Sequence, residues 1–300
     1  MQLPLKGIIP PLVSPLNSYN EIDIPGLQRL IEHQVSGGVH ALFILGTNGE
    51  APSLSYKLRK ELIKRTCELV NKRIPVLVGI TDTSLEGSLE ISDYAKSVGA
   101  SAVVFAPPYY FPVAEEEMVD YIETLAPRLS LPFIIYNMPS HTKIHLSVEL
   151  VKRAKELGAV GIKDSSGDML YFYSLVESFK DSPDFSIITG TELFLPETIM
   201  NGGHGAVAGG ANMFPKLFVD LYNASVAKDL ETIAELRHKV YMLYDTICRV
   251  GKHTSRFVKG TKCGLSVMGI CNDYLAPPLY RFKAEERHQI EEHIEKLSII

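Results

Sequence analysis

Cysteine is sparse and unpaired in this 300-residue chain: Cys67, Cys248, Cys263 and Cys271 form no CxxC and keep no zinc-like spacing from histidine. Four scattered thiols are expected to stay reduced, as in a cytoplasmic protein. No apolar run approaches the ~20 residues that span a bilayer. The segment from Met1 to Pro11 has no apolar h-region and no small-residue cleavage site, so neither membrane nor export is expected. Long runs of like charge are also missing. A formal net charge of −5 argues against nucleic acid, which calls for a basic face. No GxGxxG or P-loop follows any apolar run, which disfavours an open doubly wound sheet built on a nucleotide. HExxH and paired aspartates are absent as well. His141 and His145 stand four apart, but in Pro-Ser-His-Thr-Lys-Ile-His, which reads as a loop rather than a helix face. No metal and no cofactor is expected.

What the chain does have is a regular beat. Hydrophobic residues make up 46% and charged residues 22%, enough for a full core under an ordinary surface. Short apolar runs fall at 7–13, 41–45, 75–80, 102–106, 132–136, 159–163, 185–189 and 205–208. Each is continuous rather than alternating, as expected of parallel strands covered on both faces. Helical patterns fill the gaps: Leu27, Leu30, Ile31 and Val35 share a face, as do Leu58, Leu62, Thr66 and Leu69, and Val148, Val151, Ala154 and Leu157. Ser147 is placed to cap the last of these. Eight such units predict an α/β fold, a (β/α)₈ TIM barrel. From about Leu230 the beat stops, and 230–250, 254–267 and 284–297 read as helices, with Pro277-Pro278 breaking the last two apart. The expected division is a catalytic barrel over 1–226 and a helical C-terminal extension over 227–300 packed on it.

In a barrel the chemistry belongs at the C-terminal ends of the strands. The sixth run, Ala159, Val160 and Ile162, delivers Lys163 at its end, where Ser165-Ser166-Gly167-Asp168 starts a turn. An ammonium between an apolar strand and a polar loop loses hydration, which favours the neutral amine that attacks a ketone to form a Schiff base. The alternative is a lysine that reaches water or pairs with Asp164. The second run ends in Gly46-Thr47-Asn48-Gly49-Glu50, a glycine turn whose amides and hydroxyl can cradle a small carboxylate. The fourth ends in Pro107-Pro108-Tyr109-Tyr110-Phe111-Pro112, an aromatic cluster suited to a plug, a subunit contact or a catalytic phenol. The fifth ends in Tyr136-Asn137-Met138-Pro139, with a phenol that can relay protons next to the lysine strand. The seventh ends in Gly190-Thr191-Glu192, and the eighth lies in the glycine-rich stretch from Gly202 to Gly210.

Together these stretches resemble the dihydrodipicolinate synthase / N-acetylneuraminate lyase family over nearly the whole chain. The resemblance rests on Gly46 to Glu50, Pro108-Tyr109-Tyr110, Tyr136-Asn137-Met138-Pro139, Gly161-Ile162-Lys163-Asp164 and Gly202-Gly203-His204-Gly205. It implies class I chemistry on pyruvate, with Lys163 as the Schiff-base lysine and Tyr136 as the proton relay. Thr47 matches the relay threonine and, with Asn48, would hold the pyruvate carboxylate. Tyr110 matches a tyrosine that crosses to a neighbouring subunit, which implies a homo-oligomer, a dimer or a homotetramer built from dimers. Val207 matches the position whose carbonyl faces the imine. Gly190, Thr191, Glu192 and Ser165 lie where sugar-acid members contact the polyol tail.

The chain departs from the synthases at one point. Their Tyr-Asn-x-Pro motif normally continues Ser-Arg-Thr-Gly, and that arginine binds the carboxylate of the incoming semialdehyde. Here Ser140-His141-Thr142-Lys143 follows, so His141 stands in the arginine's place. A histidine is mostly neutral at pH 7 and cannot grip a carboxylate with a charged fork. The expected partners are therefore pyruvate and an uncharged, sugar-derived aldehyde, joined in a 2-keto-3-deoxy sugar acid or a related N-acetylneuraminate-type or 4-hydroxy-2-oxoglutarate-type acid. The alternatives are the synthase of lysine biosynthesis itself and a non-catalytic oxo-acid sensor. A sensor has no need of the intact set Lys163, Tyr136 and Thr47.

Overall fold

A computed structural model describes residues 1–298. Eight parallel strands make one sheet: β1 (Gly7–Ile8), β2 (Leu42–Ile44), β3 (Val76–Gly79), β4 (Ala102–Phe105), β5 (Phe133–Asn137), β6 (Ala159–Asp164), β7 (Ser186–Thr189) and β8 (Gly205–Ala206). Neighbours follow chain order, and β1 pairs with β8. The remaining edges meet through a parallel bridge between Pro11 and Phe43, supported by Leu12 N–H donating to the Phe43 carbonyl at 2.8 Å. The sheet thus closes into a barrel. All eight expected strands are present, but the first is shorter than 7–13, because Pro10 and Pro11 have no N–H to donate to a ladder.

A helix follows each strand: α1 (Ile24–Ser36), α2 (Tyr56–Val70), α3 (Leu85–Ser97), α4 (Glu115–Leu125), α5 (Val148–Glu156), α6 (Met169–Ser178), α7 (Leu195–Met200) and α8 (Pro215–Ala227). The apolar faces read from the sequence are those that pack: Leu27, Leu30, Ile31, Leu58, Leu62, Thr66, Val151 and Ala154 are all buried. Side-chain caps set several starts, with Asp23, Ser55, Ser84 and Ser147 each accepting a first-turn amide.

Two cores result. Helix faces and alternate strand residues such as Val103, Phe105, Phe133 and Ile135 form the outer one. The residues between them, including Phe43, Leu77, Ala102, Val104, Ile134, Tyr136, Ile188 and Val207, fill the barrel interior. Beyond α8 come α9 (Leu230–Thr246), α10 (Arg256–Val267) and α11 (Ala284–Ser298), whose Val240, Leu243, Cys263, Leu265 and Ile290 join the outer core. No helix among the described residues is long and apolar enough to cross a membrane.

Candidate active site

Two adjacent strand ends define the site. Tyr136 of β5 and Lys163 of β6 are register partners, so their side chains leave the sheet side by side into the barrel. Lys163 Nζ lies 3.7 Å from the Tyr136 ring centroid and 5.1 Å from that of Phe43 on β2, and both Lys163 and Tyr136 are buried. Burial pushes the Tyr136 phenol up, but the Lys163 charge and hydrogen bonds with Ser165, Lys163 and Thr47 outweigh it and hold the phenol below its ordinary value. A phenol so placed gives up and takes back a proton more readily than an isolated one.

Asp164 does not pair with Lys163. As the next residue on the strand it faces the opposite side, where its Oδ1 accepts from Asn137 Nδ2 at 2.8 Å and its Oδ2 from Ser166 Oγ at 2.9 Å. Asn137 in turn accepts from Leu146 N–H at 3.1 Å. Asn137 and Asp164 are also register partners, so this bond ties together the two strand ends one residue beyond Tyr136 and Lys163.

The other expected residues fall into three groups. Thr47 and Ser165 join Tyr136, and a Cβ on Gly190 would fall 1.8 Å from Ser165 Oγ, so only glycine leaves room for that hydroxyl. Asn48, Glu192 and Val207 gather around the segment after β8. The Asn48 Nδ2 is buried without a partner, beside Gly209. Glu192 Oε2 accepts from Gly210 N–H at 2.8 Å, its carboxylate also takes the Gly209 N–H, and burial raises its carboxyl to about 7. Thr191 turns its N–H back to Thr189 Oγ1 at 3.1 Å.

Tyr110 and His141 stand apart. Tyr110 is 96% exposed with φ at 83°, and Phe111 is 76% exposed, so the aromatic cluster is no plug in this chain and Tyr110 is not among the partners of the Tyr136 phenol. His141 sits in a one-turn helix, Pro139–Thr142, rather than the expected loop: Pro139 presets the first helical position, and the His141 and Thr142 amides both close onto the Met138 carbonyl. His145 lies outside that turn, edge-on to the Tyr171 ring at 4.4 Å, so the two histidines share no helix face. Partial burial, then the Lys143 and Lys163 charges, lower His141 below its ordinary value, leaving it neutral at pH 7. Lys143 is folded back, its Nζ donating to the Ser140 carbonyl at 2.7 Å. No cluster of three or more His, Cys, Asp or Glu side chains suited to a metal occurs among the described residues.

One contributor was invisible in the sequence. Phe257 of α10, in the C-terminal extension, rests on Gly209, where a Cβ would fall 2.7 Å from its ring. No local signal marks it, because the contact depends on how the extension docks.

Residues 4–297 match the model of the dihydrodipicolinate synthetase family. The chain belongs to this family and is a lyase. It is 49% identical, over 99% of its length and 100% of the other chain, to the dihydrodipicolinate synthase structure from Bacteroides thetaiotaomicron, with a TM-score of 0.96. It is 27% identical, at a TM-score of 0.92 and covering 99% and 100%, to YagE of Escherichia coli K12, a family protein solved in complex with pyruvate. A third relative, the probable 2-dehydro-3-deoxy-D-pentonate aldolase of Escherichia coli K12, is 30% identical over 95% of both chains. Solved relatives share the barrel and its C-terminal helices, and the family's enzymes act on small molecules. Catalysis, not mere oxo-acid sensing, is what family membership supports.

Proposed function

We propose that this lyase is a class I aldolase that makes or breaks the bond between pyruvate and an uncharged aldehyde in a 2-keto-3-deoxy sugar acid. The observation that carries it is the side-by-side placement of Lys163 and Tyr136 inside the barrel mouth. The Lys163 amine attacks the C2 ketone of the 2-oxo acid (the sugar acid in cleavage, pyruvate in synthesis) and water leaves. The protonated imine then accepts the electron pair released when the C–C bond breaks, which no side chain could hold alone. Tyr136, linked to Thr47 and Ser165, moves the hydroxyl proton of the aldol bond. Thr47 and the unpartnered Asn48 amide take the pyruvate carboxylate, and the Val207 carbonyl faces the imine. Ser165, Gly190, Thr191 and the free Oε1 of Glu192 take the hydroxyls of the aldehyde half. No metal is required in this sequence of steps.

Residues 1–226 serve as the catalytic barrel and 227–300, whose last two residues lie outside the described ones, as its helical extension, in a reduced, cytoplasmic setting. Tyr110, exposed in one chain, completes the relay of a second copy in a dimer or tetramer.

The second reading is the synthase, favoured by the 49% identity to a structure described as dihydrodipicolinate synthase. A neutral His141 in place of an arginine and a Lys143 tied to Ser140 speak against it, since neither offers a charged fork for the semialdehyde carboxylate. Incubation with pyruvate and borohydride should add one reduced pyruvyl group at Lys163, and labelling elsewhere would end the mechanism. The choice of substrate is decided by kcat/KM for pyruvate plus aspartate semialdehyde against cleavage of 2-keto-3-deoxy sugar acids. A more than tenfold preference for the semialdehyde would make the synthase reading the right one.

A further inference from the structure

We propose that Glu192 is a positioning residue for pyruvate, holding through the Gly209 and Gly210 amides the segment that runs from Val207 past Asn48. The proposal rests on the lyase reading above and gives Glu192 a task separate from the polyol tail.

The segment after β8 is held through its carbonyls: Gly209 accepts from Asn212 N–H at 3.1 Å, and Gly210 from Met213 and Phe214 N–H at 3.0 Å each. Val207 N–H continues the ladder to the Thr189 carbonyl at 2.8 Å, and the Gly209 carbonyl accepts from Asn212 Nδ2 at 2.9 Å. These bonds do not use the N–H groups of Gly209 and Gly210, and neither glycine has a side chain to fix the direction of its amide. Glu192 supplies that hold from the neighbouring loop, taking the Gly210 N–H at 2.8 Å and the Gly209 N–H on the same carboxylate. Because the Glu192 side chain is buried, water does not compete for these bonds.

What is held faces the pyruvate half of the site. Gly209 is wedged between the Phe257 ring and the Asn48 amide, with an added Cβ falling 2.7 Å from the first and 3.1 Å from the second. Asn48 Nδ2 is a buried donor with no partner, and Glu192 Oε1 is a buried acceptor with none. Buried polar atoms left unpaired are costly, so each has a hydrogen bond to offer a ligand group. A swing of the Gly209–Gly210 amides would move the surface against which the Asn48 amide is set, and with it the Val207 carbonyl two residues earlier. Glu192 therefore serves both halves of the substrate, Oε1 directly and Oε2 through the backbone.

Trapping with pyruvate and borohydride, with no aldehyde present, isolates the second task. Glu192→Ala and Glu192→Met, which lack an acceptor, should raise the pyruvate concentration for half-maximal trapping by about tenfold, as expected when a buried N–H loses its partner. Glu192→Gln, which keeps one acceptor for the Gly210 N–H, should stay within about threefold of wild type. The Met variant preserves bulk, so it carries the test should the Ala variant fail to fold. Half-saturation within twofold of wild type in both acceptor-free variants, with only the KM for the sugar acid raised, would overturn the inference and leave Glu192 as a tail ligand. Failure of wild type itself to trap pyruvate would instead overturn the lyase mechanism.

Discussion

Lys262 Nζ lies 2.5 Å from Glu50 Oε1, and neither side chain touches solvent. Glu50 ends the glycine turn that carries Thr47 and Asn48, while Lys262 belongs to α10 in the C-terminal extension. The pair is closed by backbone: Lys262 Nζ donates to the Tyr274 carbonyl at 2.6 Å, and Glu50 Oε2 accepts from Ala276 N–H at 2.8 Å. Burial pushes the Lys262 ammonium below its ordinary value, opposed by the Glu50 charge. The extension is thus bolted to the loop proposed to hold pyruvate.

Breaking this pair from one side should be expensive. Lys262→Met leaves Glu50 charged and buried without its counter-ion, which costs about 3–5 kcal/mol in comparable sites. Adding Glu50→Gln removes the orphaned charge and should restore much of the loss. Urea unfolding of the two single variants and the double variant measures this. A loss below about 1 kcal/mol in Lys262→Met would show that the bolt carries little.

Tyr136→Phe keeps the ring beside Lys163 and removes the phenol. kcat should fall ~10²–10⁴-fold while pyruvate trapping at Lys163 survives at a lower rate. A drop of less than about threefold would make Tyr136 a packing residue. Tyr110→Phe should act in the same direction if Tyr110 completes the site of a second copy. A fully active protein that sediments as a monomer would contradict that role.

His141→Arg tests the choice of aldehyde. A guanidinium at this turn offers the semialdehyde carboxylate a charged, two-pronged partner, worth ~10–100-fold in kcat/KM for pyruvate plus aspartate semialdehyde. The same change should not improve cleavage of a 2-keto-3-deoxy sugar acid. No gain with the semialdehyde would mean that position 141 does not face the second substrate.

The Glu192 carboxyl makes stability depend on pH in a defined direction. Its folded-state value of about 7 lies above its ordinary 4.5, so the folded protein holds the extra proton between them. Its contribution is complete below about pH 4.5 and is lost as pH rises through about 7. Glu192→Gln removes this dependence, so the variant should gain on wild type from pH 5 to pH 8, by at most ~3 kcal/mol. The depressed His40 and His204 act in the opposite sense but equally in both proteins. Denaturant midpoints at four pH values would show it, and a difference that stays flat would refute it.

Much of this architecture can be read from residue order, for a simple reason. A parallel strand covered on both faces must be apolar throughout, so the eight runs stand out and their ends name the loops where chemistry belongs. Thr47, Tyr136 and Lys163 are legible because each lies at the end of such a run or within two residues of it. Phe257, the Glu50–Lys262 pair and the helical turn at His141 are not, because each depends on a partner distant in sequence or on a local hydrogen-bond closure that propensity does not decide.

Which way Lys163 points was decided by tertiary structure alone. Val160 packs on the barrel interior, so strict alternation would send Ile162 inward and Lys163 out among the helices. The strand slips instead: Phe133 pairs with Ala159, but the next residue, Ile134, pairs with Gly161, leaving Val160 as one residue too many on β6. After the slip Ile162 joins the outer core with Ile135, and Lys163 falls in phase with Tyr136. A one-residue shift turns every later side chain to the other face. Composition and order placed a lysine at the end of a buried strand. The slip at Val160, where β6 pairs with β5, put the amine inside the barrel and Asp164 outside it.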